Sequence, residues 1–286
     1  MSAAQAHAAP PELRPVAGPS ALGGDPRRLL NLTVLLAVTE FRLRFFGSAL
    51  GYFWQLARPL MIFGVLYVIF TQVVKFGTEP IDHYPVYLLS ALVIFTGFAE
   101  ATSSAVKMVV ERENLVRKVH FPRLVIPLSV VLTALFNLGL NLVAVFAFVL
   151  ISGIEPRVEW LQVPLLLIPL VVFATGVAML LSALFVRFRD VGPIYDVVLQ
   201  VMFYGTPIFY SFETVPESVR TAYMSSPLAS IVEQFRHAVI DPDAATAAQA
   251  IGGAGYLLIP AAVVVGVFML GLWVFQREAP RVAEEL

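Results

Sequence analysis

Two acidic residues stand inside apolar stretches of this chain, Glu100 and Asp196. Charge placed in hydrocarbon costs several kcal/mol, so such groups are functional suspects by default. Both fall close to one end of their apolar blocks, where water or basic neighbours reach them, which favours a structural role over an ion site. The densest charge lies elsewhere: Glu111, Arg112, Glu113, Arg117, Lys118 and Arg123 crowd a stretch that also holds Asn114, Leu115, Phe121 and a terminating Pro122. That pattern describes a short amphipathic helix able to dock into a partner's groove. An ordinary loop rich in basic residues is the plainer alternative. A third set is aromatic. Ring faces pack against the C–H-rich faces of sugars, and Tyr52, Trp54, Phe203, Tyr204, Phe209 and Tyr210 could line a path for them. Each could equally serve as interface belt or helix packing.

Catalytic chemistry is harder to find. His83, His120 and His237 are isolated, without metal-ligand spacing, and cysteine is absent; the expectation is no metal site. No GxxxxGK[ST] phosphate loop occurs, and no loop is large enough for a nucleotide-binding domain. Any ATP hydrolysis must then belong to another chain. Clustered carboxylates with room for a nucleotide sugar are also missing, which disfavours a membrane glycosyltransferase. The net charge of -1 offers no basic excess for nucleic acid.

The elements that must position these residues are membrane spans. Of 286 residues, 58% are hydrophobic and 14% charged, with a mean hydropathy of +0.81, against roughly 25% charged in an average soluble domain. Six apolar blocks reach bilayer length, at 53–74, 84–105, 124–151, 161–186, 191–212 and 256–276, each near the roughly 20 helical residues needed to cross. Continuous apolarity argues for helices over barrel strands. Lys and Arg are retained in cytoplasmic loops. With the N-terminus inside, only Lys75, Arg157, Arg220 and Arg236 of the 19 basic residues fall outside, so both termini are expected in the cytoplasm. No convincing internal repeat is found.

Three segments are more than spans. Residues 1–26, rich in Ala, Pro and Gly, read as a flexible cytoplasmic tail, leaving 27–286 as the membrane domain. Residues 27–46 gather Arg28, Asn31, Thr39 and Arg42 into one polar sector, which predicts a helix in the cytoplasmic interface among lipid headgroups. An inward extension of the first span is the alternative. Phe45, Phe46, Tyr52, Phe53 and Trp54 follow as an aromatic belt, and Gly47 and Gly51 have GxxxG spacing. Between the fifth and sixth blocks, Ser226 can cap and Pro227 can start a helix with Leu228, Ile231, Val232, Phe235 and Val239 on one face. A shorter piece covers 216–224. The pair is predicted to re-enter the outer leaflet, with an amphipathic hairpin on the outer surface as the alternative.

These residues resemble a known family. Glu40-Phe41-Arg42-Leu43-Arg44-Phe45, Ser48-Ala49-Leu50-Gly51-Tyr52-Phe53-Trp54 and Arg58-Pro59-Leu60 are similar to the start of the type-2 ATP-binding-cassette permeases that export O-antigen, capsule, teichoic acid and related glycans. Asn114-Leu115-Val116-Arg117-Lys118 with Phe121-Pro122, Arg187-Phe188-Arg189-Asp190, Thr206-Pro207-Ile208-Phe209-Tyr210, and Ser226-Pro227-Leu228 with Glu233 and Arg236 follow in matching order. Many relatives carry Asn where Ser226 stands. The resemblance implies a homodimer paired with a cytosolic nucleotide-binding ATPase subunit, with ATP and Mg bound there and no cofactor in this chain. It also implies that residues 111–122 form the coupling element, including Glu111, Arg112, Glu113, Asn114, Leu115, Arg117, Lys118, Phe121 and Pro122. A cytoplasmic gate would involve Arg42, Arg44 and Gly51, and an outer gate Pro216, Tyr223, Pro227 and Phe235. The expected cargo is a lipid-linked glycan moved through a channel between two copies amid membrane lipid. A drug or other small amphiphile is the alternative cargo, and an ion-coupled carrier built on Glu100 and Asp196 the alternative mechanism.

Overall fold

A computed structural model of the protein describes residues 25–46, 51–74, 83–112 and 122–278. The expected tail up to residue 24, and Glu113, Asn114, Leu115, Arg117, Lys118 and Phe121 of the expected coupling element, lie outside the described residues. Among the described residues the secondary structure is helical throughout, with no strand.

The first helix, α1 (Pro26–Phe46), opens on Asp25, whose carboxylate accepts the backbone N–H of Arg27 at 2.9 Å and whose carbonyl accepts that of Leu29. Pro26 at the first helical position gives up a donor that would be orphaned anyway. Helix α2 (Gly51–Val68) runs into a π-helical turn, Ile69–Val74. Helix α3 (Tyr84–Glu111) starts behind His83, held at φ 51, and α4 (Val125–Ile151) follows Pro122 and Arg123, whose carbonyls accept the first helical N–H groups. α4 stops where Gly153 turns left-handed, at φ 81. The Gly153 N–H then reaches the Leu150 carbonyl and the Ile154 N–H reaches that of Val149, a paired closure that only a residue tolerant of positive φ makes cheaply.

Beyond it come α5 (Gln162–Arg187), α6 (Val191–Tyr204), α7 (Glu217–Met224), α8 (Pro227–Phe235) with a π turn Arg236–Ile240, α9 (Ala247–Ile251) and α10 (Leu258–Glu278). Among the described residues, five helical segments are long and apolar enough to cross a membrane: Phe53–Val73, Tyr84–Glu111, Val125–Ile151, Val158–Arg187 and Ala254–Glu278. The fifth apolar block is not a continuous helix. α6 has 14 residues, a rise of about 21 Å against a hydrocarbon core of about 30 Å, and it ends at Gly205 before the Thr206-Pro207 step.

Helix α3 is the central pillar: Tyr87, Leu88, Ala91, Leu92 and Ala105 are fully or almost fully buried in the main core with α4, α5 and α8. Phe98 stacks on Phe173 of α5 at 5.1 Å. α10 meets α5 at Gly176 and Gly271; a methyl group on Gly176 would stand 2.6 Å from the Phe268 Cα, and one on Gly271 would run into the Gly176 carbonyl. Two bare backbones are the condition for this crossing. α1 runs along the first half of α4: Leu29, Leu32 and Leu36 pack on the cluster of Val109, Leu124, Val125 and Ile126, Thr133 donates to the Ala37 carbonyl, and Phe41 meets Phe136 edge-on at 5.6 Å.

The expected cap at Ser226 is not made. Its carbonyl accepts the Ser230 N–H, but its hydroxyl accepts none of the first helical N–H groups. The sequence reading also passed over α9. Its signature was present in Thr246 and Gln249, which form a capping box of the S/T-x-x-E/Q kind.

Candidate functional site

Where α1, α2, α3, α4 and α6 converge, the helices leave a cavity of about 520 Å³. Its walls carry Arg44, Gln55, Arg58, Thr96, Glu100, Ser103, Ser104, Asn141 and Asp196, with Pro59, Ile62, Val93, Leu138 and Leu199 between them. Glu100 is the node. Its carboxylate accepts from Arg44 at 2.9 Å, from the Asn137 amide at 2.6 Å and from the Gln55 amide at 3.4 Å, so four helices are pinned on one side chain. Asn137 is fully buried and its carbonyl accepts from the Asn141 amide. Asp196 is exposed on the α6 wall. The basic neighbour expected beside Glu100 is thus Arg44, contributed by a helix whose distance in sequence hid it.

A second ion pair ties α1 to the far end of α3. Arg112 meets Glu40 and also reaches the Ser129 hydroxyl of α4; burial pulls the Arg112 guanidinium below its ordinary range. Glu111 closes α3 and Arg112 caps it. Pro122 is buried just before α4. Of the proposed gate residues Arg42, Arg44 and Gly51, Arg44 alone lines the cavity; Arg42 is exposed and Gly51 begins α2.

At the opposite end of the bundle the aromatic candidates divide. Phe203, Tyr204, Phe209 and Tyr210 form one cluster, with Phe209 at 5.0 Å from Tyr210 and 6.2 Å from Tyr204, and Phe203 at 5.4 Å from Tyr204. Phe70, from the π turn after α2, stacks on Phe209 at 4.7 Å, and Phe95 of α3 meets Phe203 at 5.3 Å. Trp54 is not among them. It stands exposed in the first turn of α2, edge-on to Phe53, where Tyr52 also belongs.

The cluster rests on tyrosines that the sequence reading passed over. Tyr84 donates to the Phe209 carbonyl at 3.1 Å, and the single Tyr87 hydroxyl proton is shared between the carbonyls of Pro207 and Tyr210. These bonds satisfy the backbone where the helix breaks, as non-helical backbone inside an apolar bundle requires. Tyr223 of α7 donates to the Tyr210 hydroxyl at 2.9 Å, which donates to the Tyr204 carbonyl. Pro216 caps α7, Pro227 opens α8 and is buried, and Phe235 is buried against Phe146. Beneath them Arg236, 2% exposed, pairs with Glu233 at 3.2 Å and Asp241 at 3.8 Å, reaches the Ser211 hydroxyl, and lies over the Tyr87 ring. Burial pushes the Glu233 carboxyl up to about 7, against the pull of Arg236.

A multi-pass helical bundle with a charged cavity toward one end and a braced aromatic break at the other is the build of a membrane transporter. The chain belongs to the ABC-2 type transporter family, whose profile matches residues 31–240, from the second turn of α1 to the end of the π turn after α8. It is 29% identical over 209 residues to the O-antigen export system permease protein RfbA of Klebsiella pneumoniae and 30% identical over 209 residues to a second RfbA of that species, covering 73% of this chain and 80% of the relative in each case. To the polysialic acid transport protein KpsM of Escherichia coli it is 23% identical over 210 residues, covering 72% of this chain and 80% of the relative.

Proposed function

We propose that this chain is the permease subunit of an exporter that moves lipid-linked polysaccharide, of the O-antigen, capsule or teichoic acid kind, across the cytoplasmic membrane. The observation that carries the reading is the similarity to O-antigen export permeases over nearly three quarters of the chain, beside a family match over residues 31–240 that takes in both the polar cavity and the aromatic break. ATP is hydrolysed, with Mg, on a separate cytosolic subunit that docks on residues 111–122. The anchoring of Arg112 to Glu40 supports a role for that segment in moving α1, and with it the Arg44 wall of the cavity.

Both termini are cytoplasmic on the basic-residue bias, which puts the cavity on the cytoplasmic side and the aromatic break outside. The chain crosses six times, α6 and the bent stretch after it making the fifth passage, with α7 and α8 folded back into the outer leaflet. A second copy completes the path. Supporting this, α2 and α6 present Phe53, Val65, Ile194, Val197 and Val201 outward, each about three-fifths exposed, a surface for a partner copy and for lipid. Glu100 is already engaged by three donors, which speaks against an ion-coupled carrier built on it.

Deletion of the coding region is expected to remove the surface glycan, with lipid-linked glycan accumulating inside the cell. Unchanged surface glycan with raised sensitivity to amphiphilic drugs would sink this reading in favour of small-molecule export.

A further inference from the structure

At the end of the bundle away from the polar cavity, two carboxyl groups share one buried guanidinium. We infer that the break after α6 is a proton-linked gate: it closes over a neutral Glu233, and opening it admits water, ionises that carboxyl and releases one proton to the outer side. This rests on the reading of the chain as an exporter whose aromatic break lies at the exit.

Glu233 is fully buried, with Arg236 at 3.2 Å from its Oε1. That guanidinium also serves Asp241 at 3.8 Å and the Ser211 hydroxyl, while Oε2 of Glu233 is buried with no hydrogen-bond partner among the described residues. A half-satisfied carboxylate in an apolar setting is costly, and a neutral carboxyl much less so. Burial, with Glu213 and Asp241 nearby, pushes this carboxyl up to about 7 against the pull of Arg236. The other groups at hand are Tyr84 and Tyr87 of α3, Tyr210 of the break and Tyr223 of α7, phenols whose protons are engaged in hydrogen bonds. His237 is turned to the Ala244 carbonyl at 2.8 Å, and the turn before α5, packed on the π turn, carries Arg157 and an exposed Glu159. α5 and α10 bring charge only at their far ends, with Arg187, Arg277 and Glu278, and α9 brings none. Of the two partners in this seat, α8 is buried along nearly its whole length, whereas residues 205–212 are held by tyrosine hydroxyls. The broken stretch is therefore the part that opens locally, and its departure takes Ser211 from Arg236 and uncovers Glu233. Ionised Glu233 favours the open form, so opening becomes easier as the outer pH rises through about 7 and levels off above it.

The test uses the full-length chain, naturally free of cysteine, in lipid nanodiscs. Ile208, fully buried in the break, is replaced by cysteine, and its labelling by an impermeant thiol reagent is measured against that of a cysteine at the exposed Glu155, so that the pH dependence of thiol chemistry cancels. The labelling ratio is expected to rise about tenfold between about pH 6 and pH 8. Glu233→Gln is expected to hold it at the low value across this range. Asp241→Asn, which leaves Arg236 to Glu233, is expected to move the rise to lower pH, and His237→Gln to leave it in place. A flat ratio in the chain with Glu233, a rise that persists in Glu233→Gln, or one that disappears with His237 would each overturn the inference; should Glu233→Gln not fold, an unmoved rise in Asp241→Asn overturns it as well. A merely structural Glu233 would instead raise labelling at every pH alike when replaced. Labelling needs no cargo, so the two readings fail separately. A pH-linked opening with unchanged surface glycan on deletion would leave the gate on an exporter of other cargo, whereas glycan loss with a flat ratio would keep the exporter and remove the proton link.

Discussion

Arg236 is the residue on which the outer end of the bundle is balanced. It is buried with Glu233 and Asp241 and covers the Tyr87 ring, so removing it strands a carboxylate in an apolar setting. Arg236→Met is expected to lower stability by about 3–5 kcal/mol, the cost of breaking a buried pair from one side, seen as a large drop in thermal midpoint in detergent. Glu233→Gln should be far milder. The pH dependence has a definite sign: the folded carboxyl is raised from 4.5 to about 7, so the folded state binds the proton more strongly and its stabilising effect is complete below about pH 4.5. That contribution is lost as pH rises through about 7. The thermal midpoint of the natural chain should therefore fall across this window, and Glu233→Gln should flatten the fall.

Among the elements, the break after α6 and the anchoring of α1 are the parts that a residue change can loosen locally. Tyr87 serves two carbonyls of the broken stretch. Tyr87→Phe leaves them without that donor and is expected to cost about 1–3 kcal/mol, with faster hydrogen exchange confined to residues 205–212. α1 is tied to α3 by two ion pairs of opposite polarity, Glu40 with Arg112 and Arg44 with Glu100. Glu40→Arg should free α1 to proteolysis near its exposed residues, and the double change Glu40→Arg with Arg112→Glu should restore protection. Failure of the swap to restore it would show that apolar packing on α4 alone holds the helix.

For the whole molecule, the absence of cysteine gives a natural background for mapping topology. Single cysteines at Glu155 and Asp190, in the turns after α4 and α5, should react with an impermeant thiol reagent from outside and from inside the membrane respectively. The reverse pattern would invert the proposed orientation. Replacing Arg117 and Lys118 by Glu should reduce co-purification of the ATPase subunit, since a charged docking face that changes sign repels its partner. Undiminished association would move the docking surface away from residues 111–122.

Apolar block length, the placement of Lys and Arg, and the heptad-like spacing after Pro227 are local properties of the chain, and they were enough for an all-helical membrane protein and for the α7 and α8 helices. Their position inside apolar blocks alone also marked Glu100 and Asp196. Two things were not local. The fifth block read as one helix because nothing in its apolarity records that Tyr84 and Tyr87, more than a hundred residues away, offer hydroxyls to a broken backbone. Likewise the partners of Glu100 come from α1, α2 and α4. Helix formation answers to the next few residues, whereas satisfying a buried carbonyl or carboxylate depends on which side chains the packed bundle brings within three ångströms or so.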